Sequence, residues 1–148
     1  MEEKSAKNNR SNAVLEIDGF EPRKVCDFNF EFNQPYDNDN QPAGIPRGGA
    51  LYVKVDAFSQ EENMQLLHWM LSHDMKKNGK ITVYKPSNPD VVLKTIEFEE
   101  AYCVYYKEVW KDLKTSAIES TNIEEIKIIW NHFKVGPVKY DYDWNKDY

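Results

Sequence analysis

Apolar residues recur at every second position in several short stretches of this chain, and at helical spacing in one. From Lys24 to Asn33, Cys26, Phe28, Phe30 and Phe32 alternate with Val25, Asp27, Asn29 and Glu31, which specifies a strand with one buried and one wet face. Ala50 to Ala57 repeats the pattern, with Leu51, Val53 and Val55 set against Tyr52, Lys54 and Asp56. Ala13 to Asp18 reads as a short strand ending in a turn at Asp18-Gly19. Between Gly79 and Val109 three more strands are expected, Lys80 to Lys85, Val91 to Phe98 and Ala101 to Tyr106. Pro86-Ser-Asn-Pro-Asp90 forms the first connection and Glu99-Glu100 a tight second turn. In the middle strand the apolar parity changes between Leu93 and Ile96, which calls for a bulge near Lys94-Thr95. The last of the three has no polar face and needs a cover on both sides. Lys107 to Asn122 reads as irregular or weakly helical, without an assignable pattern, and Ile123 to Val135 returns to strand character, broken at Asn131-His132.

The helical stretch begins at a capping box, Ser59 with Glu62, and is expected to exit around Lys76, Lys77 and Gly79. Met64, Leu67 and Leu71 mark one stripe. Leu66, Trp69 and Met70 widen the apolar arc to roughly 200°, beyond the stripe of about 100° or more that one partner surface covers. A mainly β chain with one helix must also dispose of its sheet edges, and closure is the usual answer. The fold expected is a small antiparallel β-barrel with the helix on its outside, covering Ala101 to Tyr106. The surplus apolar arc, at Trp69, Leu66 and Met70, is left for a neighbouring subunit.

At 148 residues the chain makes one domain with a self-sufficient core. The domain is expected over residues 13–138, with a mobile polar tail at 1–12 and an acidic aromatic tail at 139–148. A formal charge of -6 argues against nucleic acid or an anionic membrane as partner. No apolar run reaches the length of a membrane span, and the first residues lack the apolar core and cleavage site of a signal peptide, so folding in the cytoplasm is expected. In that compartment Cys26 and Cys103 read as small core residues.

Signals for chemistry are few. His68 and His73 lie five positions apart, off the three or four that put two metal ligands on one helix face. Asp37-Asn-Asp-Asn40 has Pro42 where a calcium loop needs glycine and Gly48 where it needs a bidentate carboxylate. Arg47-Gly-Gly49 precedes a strand and not a helix, so it reads as a site of close backbone packing, not of phosphate binding. Glu97, Glu99 and Glu100 sit at an expected exposed turn, without the burial that carboxylate catalysis requires. No catalytic residue, cofactor or metal is expected. The loop from Gln34 to Pro46, about thirteen residues, exceeds hairpin length; loops of that size are generally functional or disordered, and its composition permits either reading.

In order and spacing, RGGALYVKV, LLHWM, KKNGKITVYK, LKTIEFEEAYCVYYKE and FKVG resemble the Bacteroidetes branch of the type VI secretion tube proteins, the Hcp/TssD family, over about Ala13 to Trp144. The resemblance implies a barrel of two antiparallel sheets with one helix at its side. Six subunits would form a ring, and rings would stack into a tube that a contractile sheath drives out of the cell behind a spike, with effectors carried in the lumen. It also implies that the Gln34–Pro46 loop projects onto the next ring, with Tyr36, Asp37, Asp39 and Ile45 as its contacts. Two departures fit a divergent paralogue. The N-terminal dozen residues are longer than the family's usual start, and Trp130-Asn-His-Phe133 is bulky where relatives commonly carry small side chains. The alternative reading is a monomeric β-barrel binding a small apolar ligand, with Phe28, Phe30, Phe32 and Tyr105 lining a cavity. Barrels this small are usually filled by their own side chains.

Overall fold

The structure, a computed structural model, describes residues 12–44, 47–56, 64–111 and 122–142. The expected capping box at Ser59 and Glu62, Ile45, and residues 1–11, 112–121 and 143–148 lie outside these. The described elements are β1 (Ala13–Ile17), β2 (Arg23–Asn33), β3 (Arg47–Asp56), α1 (Gln65–Leu71), β4 (Lys77–Lys85), β5 (Asn88–Trp110), β6 (Asn122–Ile129), β7 (His132–Val135) and β8 (Val138–Asp141). All pairings are antiparallel, in the order β4-β1-β2-β3-β6-β5-β7-β8, and β4 also pairs with β5, which closes the barrel.

Two sheets share the long strand β5. Its first half pairs with β4 up to Ala101 and, over Ile96 to Glu99, with β7, in a sheet that β1 and β8 complete. Its second half, from Tyr102 to Trp110, pairs with β6, and β6 continues through β3 to β2. Glu99-Glu100 is therefore no turn. The strand runs on through a bulge, with Glu100 at φ 48 and its amide held by the Asn78 side chain at 2.8 Å. The bulge expected near Lys94-Thr95 occurs one residue earlier: the β4 register slips between Lys94 and Val92.

Leu15, Leu51, Val53, Ile81, Ile96, Phe98, Ile126, Ile128 and Trp130 fill the space between the sheets, and none exceeds 1% exposure except Ile126 at 2%. Two glycines permit close strand approach. A Cβ on Gly79 would lie 2.6 Å from both the Glu16 carbonyl oxygen and the Phe98 ring, and one on Gly49 would collide with the Glu31 carbonyl. Gly79 thus belongs to β4, and the described helix ends earlier than expected, at Leu71.

The parity expected of β2 holds only in its second half. A bulge between Val25 and Asp27 reverses it, so Val25 is buried at 4% and Cys26 is exposed. In phase with Val25, Arg23 is buried too, and its Nη2 pairs with Glu124 and donates to the Asp56 carbonyl at 2.7 Å. The Tyr106 hydroxyl donates to the other Glu124 oxygen at 2.6 Å. Burial first and this carboxylate second push the Tyr106 hydroxyl's pKa up. The network links β2, β3, β5 and β6 inside the barrel, where a lone charge would carry a desolvation cost of several kcal/mol.

Candidate assembly surfaces

The residues expected to meet a neighbour through the helix divide. Trp69 and Leu66, at 0% and 1% exposure, belong to this chain's own core. α1 packs against β5, Trp69 meets Phe20 edge-on at 6.1 Å, and its indole N–H donates to the Met75 carbonyl at 2.9 Å. Their apolar area is used within the protomer, because the broad arc wraps into the core instead of straddling two partners. Met70 is only partly buried, and Leu71 is 71% exposed. The cover over Ala101 to Tyr106 is partial. Ala101 and Cys103 are buried, whereas Val104 and Tyr105 remain 41% and 46% exposed.

Those exposed side chains mark a larger feature. In the four-stranded sheet β2-β3-β6-β5, β1 pairs with β2 only at Arg23 and Lys24, and β4 leaves β5 at Ala101. Beyond these points no strand among the described residues pairs with the outer edge of β2 from Asp27 to Asn33 or with that of β5 from Cys103 to Trp110. Phe32 lies on the first edge, and Val104, Tyr105 and Trp110 on the second, all exposed. Unpaired edges with apolar side chains are templates for another chain. The five-stranded sheet, by contrast, ends in β8, four residues long and carrying Lys139 and Asp141, the short charged edge that discourages pairing.

On the outer face of the four-stranded sheet, charge alternates along one cross-strand row. Asp27 stands opposite Lys54, Lys54 opposite Glu125, and Glu125 opposite Lys107. Lys54 and Glu125 are 3.6 Å apart. The next row is Asn29, Tyr52, Lys127 and Tyr105, with the Lys127 ammonium 5.5 Å from the Tyr52 ring centre. Phe28 and Tyr105 border an open groove on this face beside Asp27, Tyr52, Lys54 and Glu125. Phe30 packs on Phe133, and Phe32 meets Trp130, Phe133 and Tyr140. The four aromatics of the ligand-binding alternative therefore do not line one cavity.

The loop after β2 is an ordered finger. Tyr36 bridges to Pro42, the Ala43 amide donates to the Pro35 carbonyl at 2.8 Å, and the Asp37 amide to the Gln41 carbonyl at 2.9 Å. The Asp37 carboxylate accepts the amides of Asp39 and Gln41 at 2.9 and 3.0 Å, so its role is to build the tip. Tyr36 projects from the finger, 75% exposed.

A second polar cluster sits where β5 bulges and β6 breaks into β7. His132 Nδ1 lies 2.6 Å from Asp141 and Nε2 3.8 Å from Glu100, whose carboxylate also accepts from Asn131 at 2.6 Å. The Asp141 hydrogen bond raises the His132 pKa. Among the described residues no group of three His, Cys, Asp or Glu side chains is placed to hold a metal. Burial pushes the Cys103 thiol up to about 11; Cys26, though exposed, is pushed up to about 12 by partial desolvation against the sheet and by the Asp56 contact, so both are held away from nucleophilic thiolate. Neither this cluster, the buried Arg23 network nor the paired finger stands out in sequence. The one available signal is that Arg23 and Glu124 fall in phase with Val25 and Ile126.

A sequence profile described as Hemolysin coregulated protein Hcp (TssD) matches residues 9–145. Hcp1 from Flavobacterium johnsoniae is similar in structure, with 25% identity over 87% of this chain and 98% of that one and a TM-score of 0.73. The Hcp1 protein of E. coli EAEC 042 shares the fold at 12% identity, over 88% and 99% of the two chains, with a TM-score of 0.67. A chain of the sheath-tube complex of an extracellular contractile injection system does so at 15%, over 86% and 89%, with a TM-score of 0.55. No curated protein matches the sequence.

Proposed function

The chain belongs to the Hcp (TssD) family and is a structural subunit of a type VI secretion tube, and from that premise we propose that six copies close into a ring through the open edges of the four-stranded sheet. A closed ring needs a heterologous interface, in which two different patches of one subunit meet. The outer edges of β2 and β5 are such patches, and they are the observation that carries the proposal. Four antiparallel strands are an even number, so the two edge strands run in opposite directions. When the subunit repeats around an axis, β5 of one copy meets β2 of the next as an antiparallel pair, the pairing used throughout the protomer. Met70 and Leu71 add apolar surface beside this contact, while Trp69 and Leu66 hold α1 in place for it.

Rings then stack through the loop Gln34–Pro46, whose described residues 34–44 form the finger. Tyr36 and Asp39 make the contacts, Ile45 adds to them, and Asp37 fixes the tip. The tube's further partners in this reading are the sheath around it, the spike at its end and effector cargo in its lumen, with no nucleic acid and no membrane insertion. The subunit folds in the cytoplasm and leaves the cell when the sheath contracts. It has no catalytic role.

Electron microscopy with native mass measurement tests both contacts. Wild type is expected to form six-membered rings and stacks of them, and replacing Pro35–Pro46 by a short Gly-Ser linker should leave single rings that no longer stack. A wild type that stays monomeric at high concentration contradicts the ring. A shortened protein that still stacks, or loses the ring itself, contradicts the separate role of the finger.

A further inference from the structure

The charged row on the four-stranded sheet ends with opposite signs. Asp27, negative, lies on the open edge strand β2, and Lys107, positive, on the open edge strand β5, with Lys54 and Glu125 between them in strict alternation. Both end residues are exposed. Within the protomer each interior member of the row has an opposite charge on both sides. Among the described residues each end member has one on its inner side only, although opposite charges directly across a strand pair are favourable and like charges are not.

Resting on the ring proposed above, we infer that Lys107 of one subunit stands opposite Asp27 of the next, and that this pair sets the register of the contact between copies. In that register the row continues without interruption around the whole ring, every charge flanked by two of the other sign. The rows beside it fit as well. Asn29 comes opposite Tyr105, so no second charge is left facing its like. Sliding the strands by two residues puts Asp27 opposite Tyr105 or Val109 and interrupts the row. Sliding by four places Glu31 opposite Lys107 and Asp27 opposite Lys111, which pairs charges but breaks the alignment with Lys54 and Glu125.

Charge reversal separates these registers. Asp27→Lys and Lys107→Asp are each expected to raise, by at least tenfold, the protein concentration at which rings fall apart on dilution, read by native mass. The double variant carrying both changes should return to the wild-type midpoint. A mixture of the two single variants should assemble into rings in which they alternate. There the unchanged Lys107 of the first variant meets the unchanged Asp27 of the second, and the introduced aspartate of the second meets the introduced lysine of the first. Circular dichroism melts of all variants at ring-free dilution check that the protomers fold alike. Single reversals that leave the midpoint unchanged overturn the inference. So does a double variant no better than the singles, which is the outcome of the four-residue register. A wild type that forms no ring sinks the ring proposal itself, and is distinguished from failure of the register by the wild-type control alone.

Discussion

The two sheets of this barrel share a core and a strand, yet they treat their edges differently. The five-stranded sheet ends on one side where β1 meets the start of β2 and on the other in β8, whose four residues include two charges. Among the described residues, the four-stranded sheet leaves the outer edges of β2 from Asp27 and of β5 from Cys103 without a partner strand, with Phe32, Val104, Tyr105 and Trp110 exposed along them. Evolution blunts edges that must stay single and leaves open those that are to be paired. The contrast within β5 is the plainest. Up to Ala101 it is paired with β4, and over Ile96 to Glu99 it has strands on both edges; past Ala101 it has one among the described residues. One sheet is the scaffold, and the other carries the surface proposed for assembly.

This division makes predictions of graded size. Trp69→Ala removes a fully buried side chain from the scaffold and should cost about 3–5 kcal/mol in urea unfolding of the protomer. Were Trp69 instead a contact between copies, protomer stability would barely change and only assembly would suffer. Arg23→Met leaves Glu124 buried without its charge partner and should cost about 3 kcal/mol or more, most of it recovered by adding Glu124→Leu. No recovery in the double variant would show that the network matters through shape and not through charge.

The His132 cluster, half exposed, should matter far less, about 1 kcal/mol or below. Its folded pKa is raised, so its contribution is fully present below about pH 6.5, the ordinary histidine value, and is lost as pH rises through the folded pKa. Thermal melts of wild type against His132→Gln should therefore differ at pH 5.5 and converge at pH 9. A difference that grows with pH contradicts the assignment. Smallest for the protomer is Tyr105→Glu, on the open edge, expected within about 0.5 kcal/mol of wild type in unfolding. The same change should weaken rings by removing the Tyr105 ring from the contact, and a variant whose rings fall apart at the wild-type concentration counts against use of this edge.

Much of the fold is legible in the alternation of residues. Leu51, Val53 and Val55 point inward as their period requires, and the parity change after Leu93 announces a bulge that the register places within a residue. Local pattern fails where a decision is made across strands. Nothing in Val25-Cys26-Asp27 signals the bulge that exposes Cys26, because it answers to the register of β3. Glu99-Glu100 looks like a turn, since two acids between apolar runs leave the core, and continuity comes from β7 and β6 lying end to end along β5. Trp69 looks like surplus because the count of apolar helix positions says how wide the arc is, not how far the core wraps around it. The open edges are invisible for the same reason. An edge is defined by strands that do not pair, and sequence records no such absence.

Hydrogen exchange of backbone amides, compared between dilute protomer and assembled rings, tests the central claim most directly. Assembly through the open sheet should slow exchange in β2 from Asp27 to Asn33 and in β5 from Tyr102 to Trp110, while β8 and the first half of β5 keep their protomer rates. Rings whose β2 and β5 edges exchange as fast as in the free protomer, with protection appearing elsewhere, would contradict it.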